Sequence, residues 1–82
     1  MIHTDAKFSE WLITRKKFGD KTARDVLSRI NRINGFMDAD ASEPVEKMLY
    51  TLSVVPAFKA LSLSVRSQLR RAMRLYKEYR TE

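Results

Sequence analysis

The chain of 82 residues contains no cysteine, one histidine, two glycines and two prolines. Without cysteine it can form neither a disulfide framework nor a thiolate metal site. Its one histidine, His3, cannot build a zinc site by itself, so we expect no metal and no cofactor. The scarcity of glycine and proline argues against an all-β sandwich, because the many turns of that fold depend on these residues.

A long apolar run is also missing. No segment approaches the roughly 18 consecutive apolar residues that a membrane helix needs, and the stretch Met1–Lys17 lacks the apolar core of a signal peptide. We therefore expect a soluble cytoplasmic protein without a membrane partner. The length predicts a single domain over residues 1–82 with a thin core, since a chain this short removes only about 60–65% of its unfolded surface from water.

Positive charge is what the chain has in excess, with 16 Lys+Arg against 10 Asp+Glu and a net charge of +6. A basic excess of this size is typical of nucleic-acid-binding domains, although a protein that docks on an acidic partner needs it too. The excess is unevenly distributed. Residues 1–37 carry eight basic and four acidic side chains, residues 38–61 two and four, and residues 62–82 six and two.

Glycine and proline divide the apolar pattern into four predicted helices, with the breaks at Gly19, Gly35, Pro44 and Pro56. Between the breaks, apolar residues recur about every 3.6 residues. The sequence therefore predicts an all-α protein, a compact bundle of four short helices with one further helical turn at residues 57–61. No internal repeat or domain linker interrupts it.

The ends of the first two helices carry local signals. We expect helix one to run from Asp5 to Lys17 and to be ended by Gly19 in the left-handed conformation. Helix two is expected to begin at Thr22, because Thr22 to Asp25 looks like an acidic variant of the capping box. Its apolar stripe is the clearest in the chain.

The last two helices follow an acidic loop at residues 38–42. Pro44 is expected in the first turn of helix three, where proline is tolerated. Pro56 should end or kink that helix, because it lacks an N–H and clashes with the preceding turn. Helix four is expected to start with Ser62 or Ser64 as its N-cap and to end close to Arg80.

Helix four carries a row of cations. At 100° per residue, Arg66, Arg70, Arg74 and Lys77 fall on one stripe, predicted to lie opposite the apolar stripe of the helix, with Ser67 beside it. Arginines at i,i+4 spacing repel each other by a few tenths of a kcal/mol per pair. The unrelieved run indicates a counter-charge that a partner supplies.

Helix two carries a second basic face. Opposite its apolar stripe lie Lys21, Arg24, Ser28 and Arg32, a mixture of long cations that reach phosphates and short polar groups that approach base edges. If both helices pack their apolar faces inward, the two basic faces can lie on one side of the bundle.

Three segments resemble a known family. Phe8–Leu12 and Lys21–Ile30 resemble the opening of the core-binding domain of tyrosine recombinases and phage integrases, and Ser64–Tyr76 looks like the closing helix of that domain. The resemblance implies a SAM-like helical bundle that clasps one side of a DNA duplex with its second and fourth helices. It implies DNA contacts by Lys21, Thr22, Arg24, Ser28, Arg66, Ser67, Arg70 and Arg74.

The chain also departs from that family. Helix three, framed by its two prolines, does not align, and the arginines, His-x-x-Arg signature and nucleophilic tyrosine of the catalytic domain have no counterpart. The chain is then either a domain of a larger protein or a stand-alone relative without catalysis. Its tyrosines, Tyr50, Tyr76 and Tyr79, are predicted to pack in the core or at its rim.

The sequence thus predicts a non-enzymatic module that binds double-stranded DNA. The predicted contact residues are Lys21, Thr22, Arg24, Ser28, Arg32, Arg66, Ser67, Arg70, Arg74 and Lys77. The alternative is a small protein–protein interaction or regulatory module whose basic face docks on an acidic protein partner. In that case the acidic segment Asp38–Glu46 offers an oppositely charged surface for self-association.

Overall fold

The computed structural model describes residues 6–81, and in this range the chain forms five helices and no strand. They are α1 (Ala6–Arg15), α2 (Asp20–Asn34), α3 (Val45–Ser53), α4 (Pro56–Lys59) and α5 (Leu63–Arg80). The predicted all-α bundle is confirmed: predicted helix four is α5, and the additional turn is α4. The predicted start of helix one at Asp5 lies outside the described residues, as does His3.

Helices α2 and α5 pack against each other along the centre of the bundle. Helix α1 contacts both of them, and α3 contacts α5. The apolar stripes of all five helices meet in one core, because each amphipathic helix has to remove its apolar face from water. The largest fully buried side chains are Tyr76, Phe8, Phe58, Leu12, Ile30, Ile33, Met48, Leu52, Leu69 and Met73.

Aromatic contacts fasten α1 to α5. The ring of Phe8 lies 5.0 Å from the rings of both Tyr76 and Tyr79, and the ring of Trp11 lies 5.7 Å from that of Tyr79. Each such pair contributes about 0.5–1.5 kcal/mol beyond its buried area. These aromatic side chains pack as their helical spacing predicts. The prediction for Tyr50 is wrong, because its side chain is 69% exposed on α3.

The chain reverses between α1 and α2 earlier than predicted. Helix α1 ends at Arg15, and Lys17, with φ of 61°, takes the left-handed conformation. Gly19, with φ of −76°, does not. The prediction for Gly19 is wrong because Phe18 packs inward against the core and donates its N–H to the Leu12 carbonyl at 3.1 Å. The reversal therefore has to precede Phe18.

The capping box predicted at Thr22 is also wrong. Helix α2 begins at Asp20, with Gly19 as its N-cap and no side-chain capping bond. The N–H of Ala23 already bonds the Gly19 carbonyl at 3.0 Å, so Thr22 lies inside the first turn. Asp20 suits this position, because a carboxylate there interacts favourably with the positive end of the helix dipole.

The two prolines both lie at helix starts. Pro44 is the N-cap of α3, one residue earlier than predicted, and Pro56 opens α4, where its missing N–H costs nothing. Of the two candidate caps of α5, Ser62 is the N-cap: its hydroxyl accepts the N–H of Val65 at 3.2 Å. Ser64 lies within the first turn of the helix.

Candidate nucleic-acid interface

Four arginines of α5 lie within nine residues of one another: Arg66, Arg70, Arg71 and Arg74. We call them the arginine patch. None of the four forms an ion pair with any other residue between 6 and 81. Some cations elsewhere are paired within the chain, as Lys16 is with Glu78 at 2.8 Å. The arginine patch is therefore a concentration of positive charge that its surroundings do not neutralise.

Two phenylalanine rings lie against the arginine patch, at adjacent arginines that project about 100° apart around α5. The guanidinium of Arg70 lies 5.7 Å from the ring centre of Phe58 in α4, and that of Arg71 lies 5.9 Å from the ring centre of Phe18. A contact of this kind contributes about 0.5–1 kcal/mol at an exposed site. The rings position both guanidiniums on the flanks of α5. Sequence reasoning missed them, because neither phenylalanine is near its arginine in the chain.

The predicted stripe of cations on α5 does not lie on the side of the helix directly opposite the core. Arg66, Arg70 and Lys77 are only partly exposed, whereas Arg74 and Ser67 are exposed. This side of α5 meets α4 and the loop of residues 38–44, so the stripe is a flank rather than the outer face. The Nε atom of Arg66 is buried without a hydrogen-bond partner among the described residues. An unmet donor of this kind costs about 1–3 kcal/mol.

Lys77 differs from the arginine patch in the charge of its surroundings. It lines an open cleft of about 390 Å³ between residues 39–44 and the C-terminal end of α5, together with Arg80 and Thr81. Its ammonium lies 3.5 Å from the carbonyl oxygen of Ala41. The carboxylates of Asp40 and Glu43 line the same cleft, so both signs of charge are present there.

Asp40 neutralises the C-terminal end of α5. The Tyr76 hydroxyl donates to Asp40 Oδ1 at 2.6 Å, the Arg80 guanidinium pairs with the same oxygen, and Arg80 also donates to the Tyr76 oxygen at 3.1 Å. Burial, reinforced by the hydrogen bond to Asp40, raises the pKa of Tyr76 to about 12. The hydrogen bond with Tyr76 raises the pKa of Arg80. A phenol with so high a pKa acts as a hydrogen-bond donor rather than as an activated nucleophile.

The predicted contact residues of α2 are all exposed: Lys21, Thr22, Arg24, Ser28 and Arg32. The ammonium of Lys21 lies 3.7 Å from Asp25, a surface ion pair that contributes little to stability. Helix α2 begins two residues after Phe18, whose ring contacts Arg71. The first turn of α2 is therefore adjacent to the arginine patch, whereas Arg32 lies about 18 Å further along the helix axis.

Residues 6–81 offer neither a metal site nor a membrane-spanning helix. No three His, Cys, Asp or Glu side chains in this range are grouped as a metal site requires, and no helix in it is long and apolar enough to cross a membrane. Comparison of the chain with protein-family models, with curated proteins and with solved structures finds no match.

Proposed function

We propose that this chain is a non-catalytic module that binds double-stranded DNA through the arginine patch, with the first turn of α2 beside it. The observation that carries the proposal is the absence of any ion pair at the four arginines of the patch within the described chain. Arg66, Arg70 and Arg74 repel one another along α5. A row of phosphates relieves this repulsion and releases counterions as it binds.

The composition of the surface favours a nucleic acid over an acidic protein. The patch consists of arginine, whose planar guanidinium binds phosphate oxygens in pairs. The exposed residues that separate Arg66 from Arg70 on α5 are polar, namely Ser67 and Gln68. The core of a protein–protein interface is apolar and depleted of charge, whereas protein–DNA interfaces are polar and strongly positive. Of the exposed large apolar side chains, Tyr50 lies on α3 and Val54 directly follows it, whereas Leu63 opens α5 one turn before Arg66.

The resemblance to recombinase core-binding domains supports the same proposal. The segments that carry it, Phe8–Leu12, Lys21–Ile30 and Ser64–Tyr76, lie in α1, α2 and α5, and α2 and α5 are the helices that the resemblance assigns to DNA. We propose on this basis a SAM-like domain related to that family and active in the cytoplasm. Arg24 and Ser28 of α2 then extend the contact from the patch.

Fluorescence anisotropy with a labelled duplex tests the proposal. If about five phosphates are neutralised, the logarithm of the affinity falls against the logarithm of the salt concentration with a slope of about −4 to −5. A flat salt dependence, or no binding at micromolar protein, contradicts the proposal. Polyglutamate serves as the competitor. If it displaces the duplex at equal charge concentration, the partner is an acidic protein surface and the DNA proposal is wrong.

A further inference from the structure

The segment between α1 and α2 is tied to α5 on both sides of Lys17. The preceding residue, Lys16, pairs with Glu78 at 2.8 Å, and the ring of the following residue, Phe18, lies 5.9 Å from the guanidinium of Arg71. Arg71 and Glu78 are seven residues apart and lie on the same face of α5. The backbone of Lys17 is therefore held along this flank of the helix.

Lys17 itself takes no part in these contacts. Its side chain is exposed, it forms no ion pair with the described residues, and its backbone is left-handed with φ of 61°. A left-handed backbone at a residue other than glycine costs on the order of 1 kcal/mol. The two anchored neighbours hold Lys17 in this conformation, and its exposed side chain directly precedes the phenylalanine whose ring contacts Arg71.

Lys59 is likewise the sequence neighbour of the other phenylalanine that contacts the patch. It follows Phe58, the buried ring that lies under Arg70, and the N–H groups of both residues bond the Val55 carbonyl at 3.0 Å. The Lys59 side chain is exposed and forms no ion pair among residues 6–81. Each lysine is thus the sequence neighbour of a phenylalanine whose ring contacts an arginine of the patch, and both lysines belong to segments other than α5.

We propose that Lys17 and Lys59 bind phosphates on opposite strands of the duplex that α5 faces. An α-helix with its side chains is about 10–12 Å across, and the major groove of B-DNA is about 12 Å wide. Cations that extend beyond the two flanks of the helix therefore reach both walls of the groove. The inference rests on the proposed function and adds a preference for double-stranded over single-stranded DNA.

The test measures the salt dependence of binding for Lys17→Asn, Lys59→Gln and the double variant. Asparagine tolerates the left-handed conformation, so the fold is preserved, which circular dichroism and thermal unfolding verify. On a duplex we expect each single variant to reduce the steepness of the slope by about 0.9 and the double variant by about 1.8. On a single strand, which offers one run of phosphates, we expect the double variant to reduce it by at most about 0.7. Lys47→Gln is the control and leaves both slopes unchanged.

Four results overturn the inference. If the variants bind the duplex with the slope of the unsubstituted protein while that slope is steep, the proposed function stands and the inference is wrong. If only one of the two lysines affects the slope, or if the losses on duplex and single strand are equal, the bridging of two strands is wrong. If the unsubstituted protein shows no salt-sensitive binding, the proposed function and the inference fall together.

Discussion

The hydroxyl of Tyr76, on α5, donates a hydrogen bond of 2.6 Å to Asp40 Oδ1, in the loop before α3. This bond joins residues 36 positions apart and connects the longest helix to the most acidic segment. Tyr76→Phe removes it and leaves Asp40 paired only with Arg80. We expect the free energy of unfolding to fall by about 1–2 kcal/mol, measured by urea unfolding. The control, Tyr50→Phe, alters an exposed tyrosine and leaves stability within about 0.5 kcal/mol. Equal effects of the two variants contradict this role for Tyr76.

We expect the contribution of the Tyr76 hydroxyl to the free energy of unfolding to depend on pH in the alkaline range. The pKa of Tyr76 is raised from 10.0 to about 12, so above pH 10 the unfolded chain loses this proton before the folded protein does. The stabilisation by Tyr76 is complete below pH 10 and is lost as the pH rises through about 12. We expect the stability difference between the unsubstituted protein and Tyr76→Phe to shrink over this range. A difference that stays constant from pH 9 to 12 contradicts the raised pKa.

We expect substitutions of Ser62 and Ser64, at the start of α5, to have different effects on stability. Only Ser62 has a hydroxyl that accepts a helix N–H, that of Val65. We expect Ser62→Ala to lower the free energy of unfolding by about 1 kcal/mol. Ser64→Ala is the matched control and is expected to change stability by less than about 0.5 kcal/mol. A larger loss at Ser64 identifies it as the cap and contradicts the observed helix start.

A substitution at Gly19 tests whether the chain reverses at Lys17, as observed, or at Gly19 in the left-handed conformation, as the sequence predicts. Its φ is −76° and no atom lies within 4 Å of an added Cβ. Gly19→Ser restricts the unfolded chain and supplies a capping hydroxyl to α2, so we expect a gain of about 0.5–1 kcal/mol in chemical unfolding. A loss of about 1 kcal/mol, the strain expected at a left-handed residue, contradicts the placement of the reversal at Lys17.

The sequence patterns correctly predicted the features that depend only on residues close together in the chain. The helices and most of their buried residues follow from apolar spacing, because each helix buries one stripe whatever it packs against. The predictions from capping signals at Gly19 and Thr22 were wrong, because the inward packing of Phe18 determines where the chain turns. Tertiary packing overrides a local signal wherever a buried side chain constrains the backbone.

The candidate site was predictable only in part. The charges of α5 are visible in the sequence, but which of them stay unneutralised depends on contacts between distant residues. Asp40 neutralises Arg80, and the surroundings of Lys77 are mixed in charge, whereas Arg70 and Arg71 lie against aromatic rings and form no ion pair among residues 6–81. Lys17 and Lys59 lie outside the helices that show a basic stripe, so periodicity contained no signal for them.

The most direct test of the arginine patch compares two charge-matched double variants in duplex binding across a range of salt concentrations. Arg70→Gln/Arg74→Gln and the control Arg29→Gln/Lys47→Gln each remove two positive charges. If the patch binds DNA, the first pair reduces the steepness of the salt slope by about 1.8 and the control pair leaves it unchanged. Equal reductions by both pairs mean that net charge alone governs binding, and contradict a site on α5.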